Sequence, residues 1–205
     1  MSAPFGGLPV HLDPEGGASA KRALILPGAV YSPSHPLLEL GRVALQQHGW
    51  SVRQIWWELG GRMDAEERIA WVSDQVGVAV EEERAIAPEP ESWLVMAKSL
   101  GTLSVLAEHR ASAYVLLTPL LTSPAVVEGI ERLRAESIPV LLVGGTADDL
   151  WSRDVAKQLD CDLLEVEDAD HGMYVDGDVV RSAEVHLEVA RSIDSFLGRL
   201  NPSTG

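Results

Sequence analysis

Short runs of consecutive apolar residues alternate along this chain with segments in which apolar positions recur every three or four residues. Ala23 to Leu26, Trp93 to Met96, Tyr114 to Leu117, Ile138 to Val143 and Leu163 to Val166 are runs of the first kind. With no polar alternation, they fit strands of a parallel sheet covered on both faces. Ser51 to Leu59 is more mixed but reads as a strand through its β-prone Val52, Ile55 and Trp56, ended by Gly60 and Gly61. Residues 8–13 alternate weakly and stop at Pro14-Glu15-Gly16-Gly17, which predicts a short edge strand leading into a turn.

The second kind of segment predicts helices. Leu37, Leu40 and Ala44 share one face and end near His48-Gly49, where glycine suits the position after a helix. Asp64 and Glu67 have capping-box spacing, and Ile69, Val72, Val76 and Val80 place one stripe on the helix they begin, with Glu81 to Arg84 as its solvated end. Further helices are predicted from Ser99 (Leu100, Leu103, Leu106), around Val126, Ile130 and Leu133, around Leu150, Val155 and Leu159, and from Val185 to Leu200. Strands alternating with helices along the whole chain imply an α/β fold: a doubly wound, mostly parallel sheet with helices on both faces, since parallel neighbours need helical crossovers. The connection Ala87-Pro88-Glu89-Pro90 forbids helix continuation but does not read as a domain linker. We therefore expect residues 1–205 to form one domain, with 1–22 an edge-strand and turn region and 201–205 a flexible tail.

Composition narrows the classes of partner. A hydrophobic content of 46% with 23% charged residues describes an ordinary globular chain. The net charge of -15 argues against nucleic acid and anionic membranes, because both demand clustered Lys and Arg; a small-molecule substrate is the expected partner. Nothing in the composition sets an oligomeric state. Cys161 is the single cysteine, so no intrachain disulfide can form, and it reads as a small buried hydrophobe in a reducing compartment. With no basic leader, no apolar run of signal-peptide length and no segment of membrane-spanning length, the expectation is a cytoplasmic protein. Neither an HExxH metal motif nor a GxGxxG dinucleotide fingerprint occurs, and we expect neither a metal nor a cofactor.

Ligands of doubly wound sheets bind beyond the carboxyl ends of the strands, a rule that selects four places. These are Pro27-Gly28-Ala29-Val30, the pentapeptide Ala97-Lys98-Ser99-Leu100-Gly101, Gly144-Gly145-Thr146-Ala147-Asp148-Asp149, and Asp168-Ala169-Asp170-His171-Gly172-Met173. Ser99 sits where a buried strand meets a helix, so a sharp turn would lift its hydroxyl above the sheet; alternatively it merely caps that helix. A serine hydroxyl becomes a useful nucleophile only when an imidazole takes its proton, and the imidazole needs a carboxylate to fix its tautomer. His171 and Asp148 could fill those roles, with Asp149 as a competitor for the second. The chain order serine, aspartate, histidine matches one of the convergent forms of this triad and neither of the two protease orders.

On these residues the sequence, from about Ala23 to Leu200, resembles the α/β-hydrolase superfamily, and within it the small lidless members of dienelactone-hydrolase or carboxylesterase type. The resemblance implies a cofactor-independent serine hydrolase acting on a small ester or thioester, with Ser99 as nucleophile, Asp148 as acid and His171 as base. Asp148 is preferred to Asp149 because Gly145-Thr146-Ala147-Asp148 has the family's Gly-x-x-Asp spacing. It also implies an oxyanion hole from the backbone N–H groups of Ala29 and Leu100. Two positions depart from the family pattern: Ala97 stands where GxSxG has glycine, and Pro27-Gly28 where many relatives have His-Gly.

Only Thr118 to Ser123 separates the strand after the nucleophile from the next helix, which leaves no room for a cap domain. The site should therefore be open, lined by Tyr31, Trp57, Leu120, Trp151, Met173 and Tyr174. Of the remaining histidines, His11, His48, His109 and His186 are expected to be solvent-facing or packed, and His35, after the proposed oxyanion loop, either touches substrate or, as is commoner for a loop histidine, is merely exposed. Asp168 and Asp170 read as surface or turn carboxylates, though either could approach His171. Lys98 is expected to point away from the pocket, since adjacent residues on an extended segment face oppositely. The rival reading is a non-catalytic binding protein that keeps the scaffold without the chemistry.

Overall fold

The computed structural model describes residues 10–13, 19–59, 61–86, 90 and 92–200. Its elements are β1 (Val10–Leu12), β2 (Lys21–Leu26), α1 (Pro36–Gln47), β3 (Ser51–Gln54), α2 (Ala65–Ile86), β4 (Ser92–Lys98), a 3-10 helix (Ser99–Leu106), β5 (Ala113–Leu117), α3 (Pro124–Ala135), β6 (Val140–Gly145), α4 (Arg153–Gln158), β7 (Asp162–Val166) and α5 (Val179–Leu200). The expected turn at Pro14 to Gly17, the strand-ending Gly60, most of the Ala87 to Pro90 connection, the tail 201–205 and the side chain of His11 lie outside the described residues.

The strands form one sheet in the order β1-β3-β2-β4-β5-β6-β7. All pairs from β3 through β7 are parallel, and β1 adds an antiparallel edge against β3. This is the mostly parallel α/β sheet expected from the alternation of strands and helices. Every strand predicted from a continuous apolar run is present. Central β4 lies between β2 and β5, and alternate residues feed two separate cores. Leu24, Leu26, Val95 and Ala97 face α2, the 3-10 helix, α3 and α4, whereas Ala23, Ile25, Leu94 and Met96 face α1 and α5. Burial on both faces is why these strands show no polar alternation.

Several boundaries differ from the sequence reading, each for a local reason. β3 stops at Gln54 rather than Leu59. The Ile55 N–H still donates to the Ile25 carbonyl, but the facing strand next presents Pro27, which has no N–H to continue the ladder. The segment after Ser99 is a 3-10 helix and not an α-helix, because Leu100, Leu103 and Leu106 at intervals of three fit a three-residue turn equally well. α5 begins at Val179, ahead of the expected Val185; its first turn carries the exposed Val179 and Val180, which break the apolar stripe.

Among the predicted stripe residues, Leu40 is exposed, and Leu38 and Leu45 fill the core instead. The capping box of α2 forms as its spacing predicts: the Glu67 N–H donates to Asp64 Oδ1 at 2.9 Å and the Asp64 N–H to Glu67 Oε2 at 2.8 Å. At the other end of α2 the expectation of a solvated run fails at Glu83, which is 2% exposed and takes a hydrogen bond from Arg53 at 3.0 Å. A buried arginine on β3 supplies the partner that makes this burial tolerable.

Candidate active site

β4 delivers Ser99 to the middle of the carboxyl edge. The backbone turns there so tightly that Ser99 takes φ 51°, the left-handed region that a non-glycine residue enters only under constraint. Gly101 makes the turn possible. A Cβ at that position would stand 2.7 Å from the Leu26 carbonyl oxygen and 2.8 Å from that of Pro27, while its N–H donates to the Pro27 carbonyl at 3.1 Å. These contacts also bring the loop between β2 and α1 beside the serine: a Cβ on Gly28 would lie 3.4 Å from Ser99 Cβ.

The partners of Ser99 arrive from the far side of the sheet. His171 Nε2 lies 2.8 Å from Ser99 Oγ, and His171 Nδ1 lies 2.8 Å from Asp148 Oδ2. A carboxylate only accepts, so Nδ1 carries the proton and Nε2 is left to accept from the serine hydroxyl. Asp148 is 5% exposed, and its second oxygen takes the Leu150 N–H at 2.9 Å, which fixes the carboxylate plane. Asp149 is exposed and Asp148 is the carboxylate that meets the imidazole.

Stitches between the ends of β6 and β7 keep these two loops in register. The Thr146 N–H donates to Val166, the Ala147 N–H to Ala169, and the Asp168 N–H to Thr146 Oγ1. Gly145 allows this approach, since a Cβ there would lie 2.0 Å from the Ala169 carbonyl oxygen. Asp170 is the expected turn carboxylate: its Oδ1 accepts the N–H groups of Gly172 and Tyr174 at 2.7 and 2.9 Å.

The residues expected to line the site divide into two groups. Tyr31 and Leu120 are half-buried and Tyr174 is 40% exposed, so all three keep surface at the strand ends. Trp57, Trp151 and Met173 are buried, and Trp151 keeps an edge only at a neighbouring cleft beside Thr146 and Asp168. Trp57 lies beneath the loop between β2 and α1, donating its indole N–H to the Gly28 carbonyl at 3.1 Å; Trp151 packs over Gly144 and bonds Glu165 at 2.8 Å. Met173 sits at 0% exposure with φ 62°, in the core shared by α1 and α5. Tryptophan and methionine carry no sequence mark that separates a wall of a pocket from the packing below it. Leu100, which follows Ser99 in the 3-10 helix, is buried, and Ala29, next to Gly28 in the loop between β2 and α1, is exposed.

Lys98 has the largest consequence that the sequence did not reveal. It does not reach Ser99 Oγ, in keeping with its expected direction, but neither does it face solvent. Only 1% exposed, it donates from Nζ to Thr118 Oγ1 at 3.0 Å and to the His171 carbonyl at 2.9 Å. Burial pushes its pKa down to about 8, against the pull of the Asp148 and Asp170 carboxylates. Burial shifts Tyr31 in the opposite direction, upward, and its hydroxyl oxygen accepts the Leu37 N–H. The other histidines stand apart from the serine: His35 is exposed and 2.9 Å from Ser32 Oγ, His48 meets Asp194 at 2.8 Å, His109 is half-buried, and His186 is buried against the Ser182 carbonyl. Cys161 is only half-buried, its thiol pushed up to about 12 by burial.

The surroundings of Ser99 are open. Residues 118–123 alone connect β5 to α3, and the His171 side chain is 36% exposed. Two clefts, of about 270 and 370 Å³, lie elsewhere: one is walled by Val76, Val80, Trp93 and Ala111, the other by Thr146, Trp151 and Asp168. Among the described residues no group of His, Cys, Asp and Glu side chains is arranged to hold a metal ion, and no helix is long and apolar enough to cross a membrane.

Solved structures share this architecture over nearly the whole chain. An α/β hydrolase of unknown function from Agrobacterium tumefaciens superposes with a TM-score of 0.70 at 15% identity, covering 98% of this chain and 96% of its own. The chain has the α/β-hydrolase fold. A lidless α/β serine hydrolase from Xanthomonas campestris matches the same fold with a TM-score of 0.66 at 15% identity (95% and 89% covered). A propionate-bound thermophilic esterase from Thermogutta terrifontis does so at 0.65 and 16% identity (96% and 91% covered). No protein-family model matches the sequence, and no curated protein matches it. Within the α/β-hydrolase fold, Ser99, Asp148 and His171 occupy strand-end loops on β4, β6 and β7.

Proposed function

We propose that this chain is a serine hydrolase that cleaves small esters or thioesters through a covalent acyl-enzyme. One observation carries the reading: a serine held in a left-handed turn within 2.8 Å of an imidazole whose other nitrogen is 2.8 Å from a buried carboxylate. That arrangement is what activation of a hydroxyl at neutral pH requires. His171 Nε2 takes the Ser99 proton as Oγ attacks the substrate carbonyl, and Asp148 stabilises the imidazolium that results. The N–H groups of Ala29 and Leu100 receive the negative charge on the tetrahedral oxygen. Collapse breaks the bond to the leaving alcohol or thiol, which departs with the proton from His171. Water, deprotonated by His171, then attacks the acyl-serine and releases the acid.

The open surroundings, with Tyr31, Leu120 and Tyr174 at the rim, favour a small acyl group over a long chain that would need a covered tunnel. A non-catalytic binding role would have been favoured by a serine and histidine out of reach of each other; their 2.8 Å separation counts against it. The test is a fluorophosphonate probe followed by mass mapping. Labelling at Ser99 that disappears in Ser99→Ala is the expected result; a native protein that stays unlabelled and turns over no aryl ester overturns the proposal.

A further inference from the structure

A single buried ammonium touches three strand-end loops. Lys98 closes β4 on the face that also carries Leu94 and Met96, and its side chain is enclosed there. Two of its N–H donors are taken by Thr118 Oγ1, at the end of β5, and by the main-chain carbonyl of His171, between β7 and α5. Nζ also stands 4.5 Å from the centroid of the Tyr31 ring, in the loop between β2 and α1. That ring offers its negative π face to the cation. The partners are 20 and 73 residues away in sequence for the two hydrogen bonds, so the contacts are entirely tertiary.

The loop bearing His171 has its own internal stitches. The Asp170 carboxylate and the Asp170 N–H close it onto Gly172 and Tyr174, and bonds to Thr146 and Ala147 tie its start to β6. None of those stitches reaches β4. The Lys98 bond does: it links the main chain of His171 to the residue preceding Ser99. An imidazole that must hold two 2.8 Å contacts in opposite directions needs its backbone placed to within a fraction of an ångström. Thr118, with φ 43°, is itself held in a left-handed turn, so the ammonium is seated against two constrained segments at once.

Fold stability alone does not explain a lysine here. Its hydrogen-bond partners are neutral, and desolvation of the ammonium opposes folding; an apolar side chain of similar length would fill the same space without that cost. We propose that Lys98 is a positioning residue for the hydrolysis: its ammonium clamps the backbone of His171 to the ends of β4 and β5 and to Tyr31, holding the imidazole in line between Ser99 and Asp148. The inference rests on the reading of those three residues as the reacting groups.

Lys98→Met tests it with two readouts. Steady-state turnover of a small aryl ester should show kcat falling about 10- to 100-fold with KM changed by less than about threefold, as for other losses of support to a reacting group. The labelling rate with a fluorophosphonate should fall in parallel. The downfield proton resonance of the His171–Asp148 hydrogen bond, identified by its absence in His171→Ala, should broaden or vanish while the dispersed spectrum of the folded protein persists. Native kcat in Lys98→Met, or an unchanged downfield resonance, overturns the clamp. If Lys98→Met fails to fold, Lys98→Gln, uncharged and too short to span both oxygens, is judged by the same two outcomes. A native protein that shows the resonance, loses it in Lys98→Met and yet reacts with no probe would retain the clamp and overturn the hydrolase reading instead.

Discussion

Two buried cations, on strands β3 and β4 with only β2 between them, are treated differently. Arg53, 6% exposed on β3, faces carboxylates: Glu83 at 3.0 Å and Glu82 beside it, with Arg22 on β2 adding a second guanidinium 3.9 Å from Glu83. Lys98, equally enclosed at the end of β4, is given a hydroxyl, a carbonyl and an aromatic face. Around Arg53 charge meets charge, and the pairing joins α2 to the first strands of the sheet. Around Lys98 the charge is left uncompensated by direct contact, in the place where the backbone bends sharply at Ser99. The first arrangement serves assembly, and the second accepts a thermodynamic cost next to the proposed nucleophile.

Substitutions can break this contrast, beginning with the largest effect. Ser99→Ala or His171→Ala should lower kcat for an aryl ester by about 10⁶-fold, and Asp148→Asn by about 10⁴-fold, with little change in urea midpoint. At the other cation, Glu83→Ala should reverse the pattern. Leaving Arg53 and Arg22 buried without their shared carboxylate should cost about 3–5 kcal/mol in urea unfolding, while kcat per folded molecule stays native. If Glu83→Ala proves neutral for stability, the assembly role assigned to that cluster is wrong.

The pH dependence of stability isolates Lys98. Its pKa is about 8 in the folded chain and 10.5 as an ordinary lysine. Below pH 8 both states hold the proton and the cost of burying the charge is fully present. From pH 8 to 10.5 the unfolded chain binds more protons than the native one, so unfolding free energy should rise, by at most about 3 kcal/mol. Tyr31, whose pKa burial raises, acts in the opposite sense above pH 10, so the quantity to measure is the difference between native and Lys98→Met proteins across that window. A flat difference would show that the ammonium is not desolvated as its enclosure implies. Gly101→Ala should cost about 1–3 kcal/mol and lower turnover with it, because the added methyl meets two carbonyl oxygens that cannot both retreat. Asp149→Asn, at an exposed position, should leave both turnover and stability within experimental scatter of native.

Much of the fold could be read from residue pattern because the strands are buried on both faces, and a continuous apolar run leaves few alternatives. The capping box of α2 was legible for a similar reason: Asp64 and Glu67 need only local spacing to find each other. What escaped were outcomes decided by distant partners. β3 stops at Gln54 because Pro27, just past the end of β2, has no N–H to continue the ladder, and Glu83 is buried because Arg53 waits on β3. Ser99, Asp148 and His171, which the structure brings within 2.8 Å contacts of one another, could be singled out since each follows a strand. The contacts of Lys98 were not legible, because alternation along a strand gives a side chain's face and says nothing of what a loop from residue 171 will lay over it, and Trp57, read as lining, is packed instead under the Gly28 carbonyl.

The left-handed turn at Ser99 has a consequence for how this chain could drift. Glycine occupies that conformation freely, and asparagine tolerates it better than serine does. Ser99→Gly should therefore resist unfolding better than Ser99→Ala, although neither has a hydroxyl to lose its proton. For folding alone serine is thus a costlier choice at position 99 than glycine, and the hydroxyl it adds is what the proposed hydrolysis would use.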